Sequence, residues 1–413
     1  MRNNLFSESN KKSKCTIILT LFVFFSLFFC HLYAKDIQCV WTGVERVVAV
    51  GDLHGDYDHF IEILKAPEVG IVDDDLHWIA GKTHLVQIGD VMDRYDYAKR
   101  IFVLIMRLEK EAEAAGGKVH MLIGNHEEMN IGDFAFDRQG YVTVKQLLSF
   151  LPPEYIEKEE RKIRKKLGIP PSNETDFSAP LDPNIEDFWQ EKIDKSRDVT
   201  HLTKFHVRWH YLKTFNENYA PWILQHNVVI KINDIVFVHG GISEMFSTWP
   251  LEKINNQLRQ ELEIFRAARL RGEYPNRPFE IVYNENGPLW FRDYSYRGPE
   301  FEPTVDKILS NLNAKSIVTA HTPQRIKSGA EMGRYDGKVW IIDTNISRRY
   351  PSGNLSALII ENYGNKIVPW LRPWPEDDTS NAVTHELEGI SLAAFLLKNT
   401  IRTFTLIGLD LDQ

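Results

Sequence analysis

Short apolar runs rich in Val and Ile punctuate the chain, and each stops abruptly in polar residues. "RVVAV" at 46–50 leads into "GDLHGD", "THLVQI" at 83–88 into "GDVMDR", and "KVHMLI" at 118–123 into "GNHEE". Further along, "DIVFV" leads into "HGG", "KSIVTA" into "HTP", and "KVWIIDTN" at 338–345 has the same shape. Runs of this kind, without polar alternation, predict strands buried on both faces. Between the first three lie "DHFIEILKA" and "DYAKRIFVLIMRLEKEAEAAGG". Their apolar positions recur at helical spacing, and the second stops at Gly116-Gly117. Strands alternating with helices predict a layered α/β architecture, in which ligands gather where loops leave the carboxyl ends of strands.

The pattern changes over 131–225, which predicts a mostly helical insertion over one face of the core. Here "EYIEKEERKIRKKLGIPP" reads as a charged helix stopped by Pro170-Pro171, and "HLTKFHVRWHYLKTF" as an amphipathic cap helix. "KINNQLRQELEIFRAARLRG", 253–272, predicts another helix. At the N-terminus, Lys11, Lys12 and Lys14 precede "CTIILTLFVFFSLFFCHLYA", residues 15–34, whose only ionisable imidazole is His31. This predicts a secretory signal peptide over 1–34, or an uncleaved membrane anchor with residues 15–34 as the tether. Either places the body outside the cytoplasm, secreted, periplasmic or held at the membrane. After cleavage only Cys39 would remain, so no intrachain disulfide is expected. The tail 371–413 contains the apolar stretch "ISLAAFLLKNTIRTFTLIGL", to which the sequence assigns no role.

Composition narrows the partners. A chain of 413 residues, 43% hydrophobic and 26% charged, has length for a large core, and its net charge of -8 argues against a nucleic-acid binder. Attraction for an anionic substrate must come from local positive groups.

The strand ends supply the chemistry. They gather Asp52, His54, Asp90, Asn125, His239 and His321, a mixed oxygen and imidazole set suited to divalent Mn²⁺, Fe²⁺ or Zn²⁺. Asp52 and His54 are two apart on an extended segment and can grip one ion together. Asp90, from another strand, can bridge two ions at a separation of roughly 3.5–4 Å. Asp93 and Arg94 follow Asp90, and His126 follows Asn125. A histidine held by a carboxylate is a general acid, and an arginine fork clamps phosphoryl oxygens. Together these describe hydrolysis of a phosphate ester, with metal-activated hydroxide attacking in line and the leaving oxygen protonated.

The blocks "GDLHGD", "GDVMDR", "GNHEE", "VHGG" and "AHTP", in that order, resemble the phosphoprotein phosphatase superfamily of binuclear metallophosphoesterases over residues 45–348. "VWTGVERVVAVGDLHGDYD", "LVQIGDVMDRYD", "GPLWFRDY" and "IIDTNIS" resemble its Shewanella-like branch, and no "SAPNY"-type block is present. The resemblance implies an α/β calcineurin-like fold, a two-sheet β-sandwich flanked by helices, with a catalytic domain over 42–370. It implies that Asp52, His54 and Asp90 bind a first metal and that Asp90, Asn125, His239 and His321 bind a second. Asp93 and His126 would form the acid dyad. Arg94 and Arg292, with Asn125, would hold the phosphate. Two divalent ions, Mn²⁺ before Fe or Zn, are the implied cofactors, and a phosphorylated protein or peptide is the implied substrate, on Ser/Thr, Tyr or both. Tyr95 stands where the branch often has Gly. The alternatives are a diadenosine-polyphosphate or other small-molecule phosphoesterase on the same core, and an inactive membrane-tethered binding protein.

Overall fold

In a computed structural model, eleven strands among the described residues form two mixed sheets, ordered β1-β5-β6-β7-β9-β8 and β11-β10-β2-β3-β4. The structure describes residues 37–170, 180–197, 199, 202–275, 279–350 and 352–374. The expected leader or anchor over 1–34, and all but the first residues of the 371–413 tail, lie outside the described residues. Among those described, no helix is long and apolar enough to cross a membrane.

The runs ahead of the polar blocks are strands. They are β2 (Val47–Val50), β3 (His84–Gln87), β4 (Lys118–Met121), β6 (Ile235–Val238), β7 (Ser316–Thr319) and β9 (Val339–Ile341). β2, β3, β6 and β7 are buried at every position, which is why their sequences show no alternation. β2, β3 and β4 pair in parallel, with Val48 beside Leu85 and Val86 beside His120. β6, β7 and β9 do the same in the other sheet, with Val236 beside Ile317 and Val318 beside Trp340. Parallel pairing puts the loops that follow these strands at one end of each sheet.

Five strands were not anticipated from the sequence: β1 (Val40–Trp41), β5 (Val229–Ile232), β8 (Gly333–Arg334), β10 (Asn354–Glu361) and β11 (Lys366–Pro373). β10 runs antiparallel to both β2 and β11. Its pairing with β11 continues to Pro373, so the domain boundary expected at 370 falls inside a strand.

Helices α1 (Tyr57–Lys65) and α2 (Ala98–Ala114) connect the first strands. α1 is capped by Asp56, which accepts the His59 N–H at 3.2 Å, and it buries Phe60, Ile63 and Leu64. α3 (Asn125–Ile131) follows β4 directly. The described part of 131–225 holds α4 (Val144–Phe150), α5 (Pro153–Leu167), α6 (Pro183–Asp194), α7 (Val207–Asn218) and α8 (Ala220–Ile223), with no strand among them. α5 ends at Gly168, whose φ of 69° is left-handed, two residues before the proline pair expected to stop it. Beyond β6 come α9 (Glu244–Ser247), α10 (Leu251–Leu270), α11 (Asp293–Tyr296) and α12 (Glu302–Leu312).

Candidate active site

Each parallel strand hands its polar residues to a tight turn at its carboxyl end. His54, Asp90, Asp93, Arg94 and His321 all adopt positive φ, a conformation that side chains other than glycine rarely take. The backbone is held there by its neighbours. The Glu127 carboxylate accepts the N–H groups of Asp90, Val91 and Met92 at 2.9, 2.9 and 3.1 Å. It also accepts the Gly124 N–H at 2.9 Å. A Cβ on Gly124 would lie 2.3 Å from the Asp90 carboxylate, so only glycine lets α3 start this close to the β3 loop.

The strand-end residues converge. Asp52, His54, Asp90, Asn125, His239 and His321 are all buried. His54 Nδ1 is 3.0 Å from the Met92 carbonyl, and His239 Nδ1 is 2.7 Å from that of Ile88. Those carbonyls take the ring protons, which turns both Nε2 lone pairs inward. The Nε2 of His54 then faces Asp52 Oδ2 at 4.0 Å and Asp90 Oδ2 at 3.9 Å. The Nε2 of His239 faces Asn125 Oδ1 at 2.9 Å, His321 Nδ1 at 3.2 Å and Asp90 Oδ1 at 3.3 Å. Lone pairs and carboxylates pointed at one another in a buried space need a cation between them. His321 Nε2, also buried, has no hydrogen-bond partner. The donor set therefore fits divalent metal ions.

Asp90 belongs to two groups able to hold a metal ion, one with His239 and His321, the other with His54 and His126. His126 is not well placed as a ligand, because its Nε2 lies 3.2 Å from the Arg94 guanidinium and its Nδ1 2.8 Å from Asp93 Oδ2. A cation beside that arginine would be repelled. Asp52 is the better companion for His54 and Asp90, and its Oδ1 also accepts the His321 N–H at 3.3 Å.

The electrostatics follow from crowding. Burial drives the Asp52 carboxyl well above the ordinary carboxylate range, with Asp343 and Asp90 adding to the effect. Burial acts the same way on Asp90, but His239, His126 and His54 outweigh it and hold that carboxyl well below the range. Burial, then Arg94 and His126, keeps His54 well below an ordinary imidazole. Burial, then Arg292 and His239, does so for His321. Both rings are thus neutral and free to donate a lone pair.

The remaining expected residues also reach the site. Asp93 holds His126 as above. Arg94 donates to the Tyr350 hydroxyl, its guanidinium lies 5.1 Å from the Tyr141 ring centre, and its Nε has no hydrogen-bond partner. Arg292 sits behind His321, donating to the His321 carbonyl at 3.1 Å and to Thr322 Oγ1 at 3.0 Å.

The sequence assigned no role to Asp343, Glu127, Asn130, Gln146 or Tyr350, which touch these residues, or to Tyr211, which bonds Gln146 and Asn130. Asp343 follows β9 in "KVWIIDTN", a run of the same shape as the others. Its place at a strand end was the available signal.

The residues 45–325 match the calcineurin-like phosphoesterase family. The chain is 31% identical to Shewanella-like protein phosphatase 2 of Arabidopsis thaliana over 84% of its own length and 83% of the relative's. It is 23% identical to Shewanella-like protein phosphatase 1 of Plasmodium berghei over 82% and 74% of the two chains. Among solved structures, the cold-active protein-tyrosine phosphatase of a psychrophilic Shewanella species shares the fold, with a TM-score of 0.51 and 24% identity over 81% of this chain and 84% of that one. Matched across most of its length, with the strand-end residues gathered at one point, the chain belongs to the calcineurin-like phosphoesterases, in the company of the Shewanella-like protein phosphatases.

Proposed function

We propose that the protein is a metal-dependent protein phosphatase that hydrolyses phosphomonoesters, with no covalent intermediate. The observation that carries this reading is Asp90, whose two carboxylate oxygens face His54 and His239 and which lies beside the His126–Asp93 pair and Arg94. Asp52, His54 and Asp90 would hold one divalent ion; Asp90, Asn125, His239 and His321 would hold a second, with Mn²⁺ the first to try. The ions, when bound, supply positive charge to the phosphoryl oxygens and acidify water to a nucleophile at neutral pH. Arg94 clamps a non-bridging oxygen. Arg292 supports His321 and faces the same phosphate. The Asp93 carboxylate on Nδ1 stabilises the protonated ring of His126, which gives its Nε2 proton to the leaving oxygen as the phosphorus–oxygen bond breaks and is left neutral. While Nε2 carries that proton it can no longer accept from Arg94, which frees the Arg94 N–H groups for the phosphate.

Nothing in the site favours a dinucleotide substrate over a phosphorylated protein, and a complete ligand set counts against a site that has lost turnover. The test uses the full chain with phosphothreonine and phosphotyrosine peptides, with Mn²⁺, with EDTA, and as Asp90→Asn and His126→Asn. Turnover should require metal, Asp90→Asn should lose metal and activity together, and His126→Asn should lose activity while keeping metal. Full activity after complete metal removal would overturn the reading. We also propose export or membrane anchoring through residues 15–34, supported by the basic and apolar pattern there. Recovery of the chain from the cytoplasmic fraction alone would refute it.

A further inference from the structure

We infer that Gln146 of α4, backed by Tyr211 of α7, is a positioning residue for the Asp93–His126 pair. The inference rests on the reading of that pair as the proton donor.

Thr143 caps α4 by accepting the Gln146 N–H at 3.1 Å, so Gln146 stands third in the helix. A Thr-x-x-Gln spacing normally sends the glutamine side chain back to the cap's own N–H. Here both ends of the amide go to Asp93 instead. Gln146 Oε1 accepts the Asp93 N–H at 2.9 Å, and its Nε2 donates to Asp93 Oδ1 at 2.7 Å. Because a carboxylate only accepts and a backbone N–H only donates, this orientation of the amide is forced.

The contacts close into a ring. Gln146 Nε2 also donates to the Tyr211 hydroxyl at 3.1 Å, and that hydroxyl donates to Asn130 Oδ1 at 2.7 Å. Asn130 Nδ2 donates to both Asp93 oxygens, at 3.0 and 2.9 Å. Asp93, Asn130, Gln146 and Tyr211 are all buried. What Asp93 Oδ2 has left faces His126 Nδ1 at 2.8 Å. Asp93 itself has a φ of 68°, a strained backbone whose N–H is held only by Gln146 among the bonds seen to it. Tyr141, from the same segment, tilts against the His126 ring at 4.8 Å between centres. Neither Gln146 nor Tyr211 has to touch substrate; they set where the proton donor points.

A purely structural role would lower all activities together. A positioning role lowers them according to the leaving group, since a basic leaving oxygen needs protonation and a nitrophenolate does not. The experiment compares kcat on p-nitrophenyl phosphate with kcat on the better of the phosphothreonine and phosphotyrosine peptides, with metal content measured alongside. The variants are Gln146→Met, near in size but without either bond, and Tyr211→Phe, with His126→Asn as reference. Gln146→Met should lose roughly tenfold or more on the peptide and less than about threefold on the nitrophenyl ester, at unchanged KM and metal content. Tyr211→Phe should move the ratio in the same direction by less. Equal losses on both substrates, or none, would overturn the inference while His126→Asn shows the leaving-group dependence. Equal losses in His126→Asn itself would overturn the proton-donor reading and the inference with it. Should Gln146→Met give no cooperative melt, the Tyr211→Phe ratio decides.

Discussion

Asp343 shows at the level of one residue what the sequence concealed. Its carboxyl is buried, sits beside Asp52, and leaves Oδ2 without a hydrogen-bond partner. Burial raises it above the ordinary carboxylate range, although the Asn345 N–H, Arg94 and Asp52 pull the other way. A carboxyl so placed orients Asp52 rather than a ligand-free pocket. Asp343→Asn should therefore weaken metal binding by about 10- to 100-fold while leaving the fold intact. Titration with Mn²⁺ followed by calorimetry checks this, and wild-type affinity in the variant would remove Asp343 from the site. The candidate metal-facing residues were legible because each follows an apolar run, and all but His321 stand next to or within a few positions of glycine. Asp343 follows such a run as well. Asn130, Gln146 and Tyr211 carry no such mark, because residues of those types serve as caps and core fillers far more often, and only the tertiary approach of α3, α4 and α7 gives them their partner.

At the scale of elements, burial explains which strands could be read. β2 and β6 are apolar throughout, whereas β11 mixes exposed and half-buried residues at the sheet edge and includes Pro369 and Pro373. β1 and β8 are two residues each and carry no periodicity at all. α7 was legible as an amphipathic helix, but a charged residue type alone does not mark Arg208 for burial. It is nonetheless buried, bonded through Nε to Asp133 Oδ1 and through Nη1 to Asp137 Oδ1, each at 2.7 Å. Arg269 of α10 holds the other Asp133 oxygen at 2.5 Å. This network ties α7, and with it Tyr211, to the end of α3. Breaking a buried pair by removing one partner costs about 3–5 kcal/mol. Arg208→Met should fall toward the lower end, near 3 kcal/mol, because Asp133 keeps Arg269 and Asp137 lies nearer the surface. Urea unfolding measures it, and a loss below about 1 kcal/mol would mean that the network is no more than a surface pair.

At the scale of the whole molecule, the candidate ligands come from both sheets, so a bound cation would join them. Asp52, His54, Asp90 and Asn125 follow strands or begin the helix of one sheet; His239 and His321 follow β6 and β7 of the other. Any ion that binds the folded state alone raises its stability. The size of that effect depends on pH. In the metal-free protein, burial raises Asp52 and Asp343, with Asp343 and Asp90 adding to the effect on Asp52, and Glu127 is pushed up to about 7 by burial and Asp90. Groups raised in this way favour folding below their unfolded pKa, and that contribution is lost as pH rises through the folded value. His239, raised because Asp90 outweighs its burial, acts in the same direction. Asp90, held low, contributes above the usual carboxylate range and is already constant near neutrality. His54 and His321, held low, partly offset the loss, since the unfolded chain would take up their protons first. A cation reverses the balance for the raised acids, because it binds their deprotonated forms. The rise in Tm on adding saturating Mn²⁺ should therefore be larger above pH 7 than below it. Thermal melts with and without metal on both sides of that pH test it. A metal-induced rise that is equal on the two sides, or larger in acid, would mean that the carboxylates do not hold the ion.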